Sequence, residues 1–210
     1  MKENKNNKKI IFLVIGVIAL IVAILLMTSN KGVNKVYEVG KDIEAGEYVL
    51  VGKGKHNLLE ANKEQYKKVY GYYAICTTKD CNVEKGEVET NDNVTGKAYV
   101  IVEEGQFLEV KSMKLYKVDK YKTKLKDSIS YDYKLGGNDY YKVGKDLSVG
   151  TYTFTGDNFY YEVCSKPNCD LNSGIIANEY NDTKNGTSSV TVEEGQYLVV
   201  SGTKPFTASK

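Results

Sequence analysis

Two pairs of cysteines are the residues whose spacing points most directly to chemistry. Cys76 and Cys81 are separated by four residues, and so are Cys164 and Cys169. Outside the cytoplasm, paired cysteines at a repeated spacing most simply indicate disulfides. The repetition favours bonds between Cys76 and Cys81 and between Cys164 and Cys169. A four-cysteine zinc site and a redox pair are the alternatives, although both usually use a Cys-x2-Cys spacing.

The other titratable residues do not form a recognisable catalytic set. The chain has one histidine, His56, and no serine or cysteine lies close to it in sequence to act as a nucleophile. Residues 103–104 and 193–194 are adjacent glutamate pairs, whereas glycoside hydrolysis needs two carboxylates that face each other across a substrate. Residues 181–186 lack the final glutamate and the helices of an EF-hand. We therefore predict no enzymatic activity, no metal and no cofactor.

The composition excludes further classes of function. The 210 residues include 29 basic and 27 acidic side chains, and every basic one is lysine. Without arginine, the chain cannot make a bidentate guanidinium contact with phosphate or guanine. The net charge of +2 also argues against a general polyanion binder. We predict no nucleic-acid partner.

An apolar run without charged residues occupies residues 10–27 near the N-terminus. At about 1.5 Å per residue, a helix of this length nearly matches the roughly 30 Å hydrocarbon core of a membrane. Residues 10–28 are thus predicted to form a single transmembrane helix. Four lysines in residues 1–9 favour a cytoplasmic N-terminus, with the linker 29–35 and everything after it outside the cell membrane. A cleaved signal peptide is the alternative, although the run is long for a signal core.

Three segments recur in the same order in the two halves of the chain. The pairs are VYEVGKDIEAGEYVL with YYKVGKDLSVGTYTF, YYAICTTKDC with YYEVCSKPNC, and VIVEEGQFLEV with VTVEEGQYLVV. Such self-similarity indicates two copies of one small domain. We assign the first repeat to residues 36–117 and the second to residues 139–208, with a lysine-rich connector at 118–138.

Each repeated segment is rich in Tyr, Val, Phe and Thr, which favour strands. Four glycines stand at expected turns where positive φ is needed, namely Gly46, Gly105, Gly150 and Gly195. The strands on either side of each Glu-Glu-Gly turn are predicted to pair as a hairpin. The predicted fold class is mainly β, with a single transmembrane helix followed by two tandem small β-sandwich or open-barrel domains. Residues 58–69, in an insertion of the first repeat, are a helical candidate.

The repeated motifs resemble a small β-domain of Gram-positive (Firmicutes) envelope proteins and lipoproteins, which has a VGxDIPAGxY opening and an EGQYL closing. The resemblance covers both repeats. Glu44 and Ser148 stand where that family usually has proline, so the turn keeps its glycine but loses some preorganisation. The resemblance implies an exported β-domain and brings no catalytic residues.

Tyrosines and lysines are the side chains left to carry binding. The chain has 18 tyrosines, with adjacent pairs at 72–73, 140–141 and 160–161, and in a strand one member of each pair should be buried and the other exposed. The candidate binding residues are four tyrosines and three lysines, namely Tyr72, Tyr73, Tyr160, Tyr161, Lys120, Lys122 and Lys124. The three lysines alternate with other residues as in a strand with a basic face. They could bind an anionic wall polymer or lipid headgroups. The structural alternative is an edge strand or connector whose lysines discourage aggregation.

These observations predict a membrane-anchored, extracytoplasmic and non-catalytic binding module. The predicted ligand is cell-wall glycan or an envelope partner protein, because exposed tyrosines are common at both kinds of contact. A structural or accessory subunit of a membrane complex is the alternative. An extracytoplasmic hydrolase is less favoured, because no convergent catalytic set is visible.

Overall fold

The computed structural model describes residues 33–52, 71–131, 137–170 and 172–210. The predicted transmembrane segment, the helical candidate at 58–69 and His56 lie outside these residues. In the described part of the chain, every regular element is a strand, so the prediction of a mainly β protein is confirmed. None of the elements described is a helix long and apolar enough to cross a membrane.

The strands of the described residues are numbered in chain order. They are β1 (Val33–Glu38), β2 (Gly46–Gly52), β3 (Gly71–Cys76), β4 (Val88–Val94), β5 (Lys97–Val102), β6 (Phe107–Lys117), β7 (Ser128–Tyr131), β8 (Asp139–Lys142), β9 (Gly150–Gly156), β10 (Phe159–Cys164), β11 (Ile175–Asn181), β12 (Gly186–Val192), β13 (Tyr197–Gly202) and β14 (Phe206–Ser209).

The strands form three antiparallel sheets. Sheet 1 has the order β4-β3-β6-β2-β5, with β1 also paired to β6. Sheet 2 has the order β11-β10-β13-β8, and sheet 3 has the order β12-β9-β14-β7. The first repeat thus forms one sheet, whereas the second repeat is divided between two sheets.

The last strand of each repeat explains this difference. In the first repeat, β6 is continuous, and it changes partner from β3 to β2 near Ser112, which has a φ of 64°. In the second repeat, residues 203–205 interrupt the corresponding chain, so β13 joins sheet 2 and β14 joins sheet 3. Pro205 has no N–H to donate to a neighbouring strand, which favours an interruption there.

The Glu-Glu-Gly turns do not close hairpins, so that prediction is wrong. β2 lies between β5 and β6 in sheet 1, while β12 and β13 belong to different sheets. The turn glycines do adopt positive φ, with 85° at Gly105, 84° at Gly195, 138° at Gly46 and 150° at Gly150. A left-handed glycine reverses the chain locally but does not determine which strand becomes the neighbour.

Sheet 2 is buried on both faces where the repeats meet. Tyr197 and Val199 on one face pack into the core of the first repeat, whereas Leu198 on the other face packs into the core of the second. Tyr140 and Tyr141 are consequently both buried, with 9% and 7% exposure. The prediction that one of these two tyrosines is exposed is wrong, because each face of β8 contacts a different core.

Candidate binding cleft between the repeats

A cleft with a volume of about 180 Å³ opens between the two repeats. Strands β3 and β4 of the first repeat form one wall, and β8, β10 and β13 of the second form the other. The side chains that matter for its chemistry are Tyr73, Asp92, Asn138, Tyr140, Tyr160, Glu162 and Asn168. We call this feature the inter-repeat cleft.

Asp92 reaches the cleft because β4 alternates between an inward and an outward face. Its carboxylate accepts hydrogen bonds from the Asn138 side-chain amide, at 2.8 Å, and from the Tyr140 hydroxyl. Asn138 is fixed in turn by the first repeat, since its N–H donates to the Asn93 carbonyl and its carbonyl accepts from the Thr95 N–H. Burial raises the pKa of Asp92, while the hydrogen bonds from Tyr140 and Asn138 lower it in part.

Tyr73 and Tyr140 meet at the base of the cleft, one from each repeat. Burial is the main cause that raises the pKa of both hydroxyls, and the negative charge of Asp92 adds to it. Both side chains therefore remain neutral at physiological pH and present hydroxyl groups rather than phenolates. Because Tyr73 is only 2% exposed, it contributes to the base of the cleft more than to its mouth.

Glu162 lies on the opposite wall, on β10. Its Oε2 accepts a hydrogen bond of 2.7 Å from the Tyr160 hydroxyl. Its Oε1 lies 3.1 Å from the Sγ of Cys164 and 2.9 Å from the Sγ of Cys169. Burial and the bond to Glu162 raise the pKa of Tyr160, so its hydroxyl stays protonated and keeps the carboxylate oriented.

Both predicted disulfides are confirmed. Cys76 is bonded to Cys81 and Cys164 to Cys169, with Cα–Cα distances of 5.3 and 5.9 Å. Only the second disulfide lines the inter-repeat cleft. The loop that it closes also carries Asn168, so this disulfide holds part of the cleft wall in place.

Asn168 connects that loop to the first repeat and leaves an acceptor at the cleft. Its side-chain amide donates a 2.7 Å hydrogen bond to the carbonyl oxygen of Ile101. The other side-chain atom, Oδ1, is buried and has no hydrogen-bond partner among the described residues. A buried polar atom without a partner is costly, and a ligand N–H or O–H would satisfy it.

An exposed tyrosine lies beside the cleft on the edge strand β11. Tyr180 is directly opposite Tyr160 in the β10–β11 pairing, so both side chains point to the same face of sheet 2. Tyr180 is 64% exposed, and its hydroxyl donates to the side-chain oxygen of Asn158 at 2.7 Å. We call these two tyrosines, paired on one face of sheet 2, the aromatic surface. The Tyr160 hydroxyl is directed to Glu162 and the Tyr180 hydroxyl to Asn158.

Ion pairs and hydrogen bonds fix the two repeats relative to each other. The Lys142 ammonium lies 2.8 Å from the Glu47 carboxylate, which also accepts a 2.7 Å hydrogen bond from the Tyr197 hydroxyl. Asp139 accepts a hydrogen bond of 2.9 Å from the N–H of Lys97. Because these contacts cross from one repeat to the other, the cleft is a preformed feature.

The structure brings only two of the predicted tyrosines to the cleft, Tyr73 and Tyr160. Tyr72 is half-buried on the other face of β3, where the Lys111 ammonium lies 4.9 Å from the centre of its ring. Tyr161 is 4% exposed and stacks on Phe154 in the core of the second repeat.

The predicted lysines lie elsewhere. Lys120, Lys122 and Lys124 are exposed on the connector, and none of the three lines the cleft. The described chain from 120 to 125 contains no strand, so the strand with a basic face is wrong. The lysines nevertheless point to solvent, while Tyr121 and Thr123 between them are half-buried.

The repeated glutamates have a turn role rather than a place in the cleft. Glu104 and Glu194 lie over Gly40 and Gly144, where their carboxylates occupy the space of an absent Cβ. The N–H of residue 103 donates to the side-chain oxygen of Gln106 at 2.7 Å, and the second repeat has the same contact at 2.8 Å. All four glutamates are exposed.

The sequence did not single out Asp92, Asn138, Glu162, Asn168 or Tyr180. The sequence holds one signal for Glu162, because the corresponding residue of the first repeat is Ala74. A charged residue at a position where the other repeat has an apolar one indicates a role specific to the second repeat. Asp92 and Glu162 are 70 positions apart, and only the packing of the repeats brings them to one cleft.

No protein-family model matches this chain, and no curated protein matches it. The resemblance to a Gram-positive envelope domain therefore stays a prediction.

Proposed function

We propose that this protein is a non-catalytic extracytoplasmic module that binds cell-wall glycan in the inter-repeat cleft. In this proposal, residues 10–28 form a single transmembrane helix with the N-terminus inside. The two repeats are tandem β-domains that resemble those of Gram-positive envelope proteins. The observation that carries the proposal is the combination of the aromatic surface of Tyr160 and Tyr180 with the acceptors of Asp92, Glu162 and Asn168.

The cleft offers the two kinds of contact that a sugar needs. The C–H face of a sugar ring packs on aromatic rings, and Tyr160 and Tyr180 provide them on one face of sheet 2. Sugar hydroxyls donate hydrogen bonds, and the Asn168 Oδ1 is a buried acceptor without a partner in the described chain. Matching a donor to this atom would give specificity for a hydroxyl-rich ligand.

The size of the cleft limits what can enter. Its volume of about 180 Å³ is below the roughly 300–1,000 Å³ of pockets that enclose a drug-sized ligand. We therefore propose that one sugar unit enters the cleft while neighbouring units lie along the aromatic surface. The exposed Lys120, Lys122 and Lys124 add a basic surface on the connector for an anionic wall polymer.

The two carboxylates of the cleft have positioning contacts rather than an arrangement for proton transfer. Asp92 Oδ2 accepts hydrogen bonds from both Asn138 and Tyr140. Glu162 accepts a hydrogen bond from the Tyr160 hydroxyl and lies against the second disulfide. We therefore propose binding without cleavage. If the wild type released reducing sugar ends from wall glycan and Asp92→Asn did not, the non-catalytic part of the proposal would be overturned.

The binding test uses the full-length protein in detergent and isolated wall glycan. Tyr160→Ala and Tyr180→Ala should each weaken retention about five-fold, because an aromatic contact of this kind is worth roughly 1 kcal/mol. Tyr72→Ala is the matched control, since Tyr72 is also half-buried in a strand but lies outside the cleft. Equal retention in all three variants would contradict the proposal, and capture of one membrane protein instead of glycan would favour an accessory subunit.

The membrane topology has its own test. A C-terminal tag on the full-length protein should be digested by protease added to intact spheroplasts, while an N-terminal tag is protected. The membrane-bound protein should keep its N-terminal tag, because a cleaved signal would remove the lysine-rich tail together with that tag. A protected C-terminal tag, or a shortened soluble product, would contradict the signal-anchor proposal.

A further inference from the structure

The second disulfide differs from the first because a carboxylate lies against it. Glu162 Oε1 is within 3.1 Å of both sulfur atoms, at 3.1 Å from Cys164 and 2.9 Å from Cys169. The first repeat has Ala74 at the corresponding position and so has no side-chain ligand atom there. Only one of two otherwise matching Cys-x4-Cys loops therefore combines two sulfurs with a carboxylate.

The three groups have the spacing of metal ligands. The Sγ atoms of Cys164 and Cys169 and a carboxylate oxygen of Glu162 all lie within 4.8 Å of one another. A tetrahedral Zn²⁺ with Zn–S distances of about 2.3 Å and a Zn–O distance of about 2.1 Å separates its ligand atoms by roughly 3.5–3.8 Å. Small side-chain movements after the S–S bond opens would reach this geometry.

Glu162 is also held as a ligand would be. The Tyr160 hydroxyl donates to Oε2 at 2.7 Å, which leaves Oε1 directed at the two sulfurs. A hydrogen bond to the second oxygen of a ligating carboxylate is a usual feature of metal sites. The group lines the inter-repeat cleft, so water can occupy a fourth ligand position.

The disulfide form cannot bind a metal, because its sulfurs carry no negative charge. We propose that a dithiol reductant opens the Cys164–Cys169 bond, and that the two thiolates with Glu162 then bind one thiophilic divalent cation such as Zn²⁺. The reductant is oxidised to its disulfide, and the protein gains two electrons and two protons. Metal binding then releases the two thiol protons to solvent.

The test titrates Co²⁺ into the full-length protein in detergent, after reduction by dithiothreitol and removal of the reductant without oxygen. One Co²⁺ per chain should bind with a thiolate-to-cobalt charge-transfer band, and the oxidised protein should show no such band. The double variant Cys76→Ala and Cys81→Ala should keep the band, whereas Cys164→Ala with Cys169→Ala should lose it. The near-UV circular dichroism of the tyrosines checks that each variant is folded.

Glu162→Gln separates this site from a simple pair of thiols. The amide has nearly the same shape but is a poor ligand, so the affinity for Zn²⁺, measured by competition with a coloured chelator, should fall at least about ten-fold. Three results would overturn the proposal: no band in the reduced protein, two cations per chain, or equal affinity in Glu162→Gln. If the Cys76 and Cys81 variant does not fold, the stoichiometry and Glu162→Gln still decide the question.

Discussion

The ammonium of Lys97 lies 2.8 Å from Oδ1 of Asp146, and this ion pair joins the first repeat to the second. The side chains are only 13% and 1% exposed, so both charges are largely removed from water. Asp146 Oδ2 also accepts a 2.6 Å hydrogen bond from the Tyr99 hydroxyl and a 3.0 Å bond from the N–H of Lys142. Oδ2 is thus hydrogen-bonded from both repeats, whereas the buried Oδ1 has the charge of Lys97 beside it but no hydrogen bond among the described residues.

Removing one partner of this pair should be strongly destabilising. Lys97→Met leaves the Asp146 carboxylate buried without its cation, which typically costs about 3–5 kcal/mol in the free energy of unfolding. The matched control is Lys41→Met, because Lys41 and its partner Glu38 are 74% and 40% exposed. We expect a loss of about 0.5 kcal/mol or less there. Urea unfolding compares the two variants, and similar losses would show that the inter-repeat pair has no special role.

The pKa of Asp139 predicts a pH dependence of stability with a definite sign. Burial raises this pKa above its ordinary value of 3.8, against the lowering effect of hydrogen bonds from the Tyr141 hydroxyl and the Lys97 N–H. A carboxyl whose pKa is raised by folding stabilises the protein fully below about pH 3.8 and loses that contribution as pH rises through the native pKa.

The measurement is the difference in unfolding free energy between the wild type and Asp139→Asn. This difference should increase in favour of the wild type as pH falls from 7 towards 4. Asp119→Asn is the control, because the hydrogen bond from Lys120 lowers the pKa of Asp119 and any change should have the opposite sign. A difference that is constant with pH for Asp139→Asn would contradict the prediction.

Alanine substitutions at two glycines should distinguish the cost of positive φ from the cost of close packing in the free energy of unfolding. Gly105 has a φ of 85° with no heavy atom within 4 Å of an added Cβ, so Gly105→Ala should cost about 1–2 kcal/mol from backbone strain alone. At Gly156, φ is 145° and an added Cβ would lie 2.8 Å from the Phe206 Cα and from the Pro205 carbonyl oxygen.

Because backbone atoms of β14 would have to move, Gly156→Ala should cost roughly 1–3 kcal/mol more than Gly105→Ala. Thermal and urea unfolding of both variants provide the comparison. Equal losses would mean that the chain near Phe206 and Pro205 moves away at little cost, and the split between β13 and β14 would then be a flexible junction.

Local chemistry explains which parts of the fold the sequence predicts. The disulfides follow from repeated spacing, and the positive φ at Gly105 and Gly195 follows from the turn residues around them. The predicted hairpins are wrong because strands distant in sequence compete for the same neighbour. In the first repeat, β2 pairs with β5 in the place that the sequence suggested for β6.

The candidate site was predictable only in part for a related reason. The sequence selects Tyr160 and Tyr161 together, because adjacent residues of a strand point to opposite faces and nothing in the sequence says which face is buried. Asp92 and Glu162 come together in one cleft only when sheet 2 packs against the first repeat, so the sequence alone does not connect them. The burial of both Tyr140 and Tyr141 has the same origin, because each face of β8 packs against a different core.

The two disulfides should contribute similarly to stability. Both close loops with a sequence separation of 5, and the loop-closure model gives about 2 kcal/mol for so short a loop. Replacing either pair by alanine should therefore lower the free energy of unfolding by about that amount under oxidising conditions. In the presence of a reductant, the variants and the wild type should converge. A much larger loss for Cys164 and Cys169 would indicate that the Asn168 contact with Ile101 also depends on this loop.

The exposed lysines of the connector should act through charge alone. Replacing Lys120, Lys122 and Lys124 by glutamate changes the local charge by −6 and should reduce retention on isolated walls that carry anionic polymer. All three side chains are exposed to solvent, and the ion pair of Lys120 with Asp119 is exposed too, so a polyanion can reach them. The reduction should disappear at high salt, whereas the effect of Tyr160→Ala should persist, since stacking is not screened. Unchanged retention at low salt would leave the lysines with the role of keeping the connector soluble and would assign wall binding to the cleft.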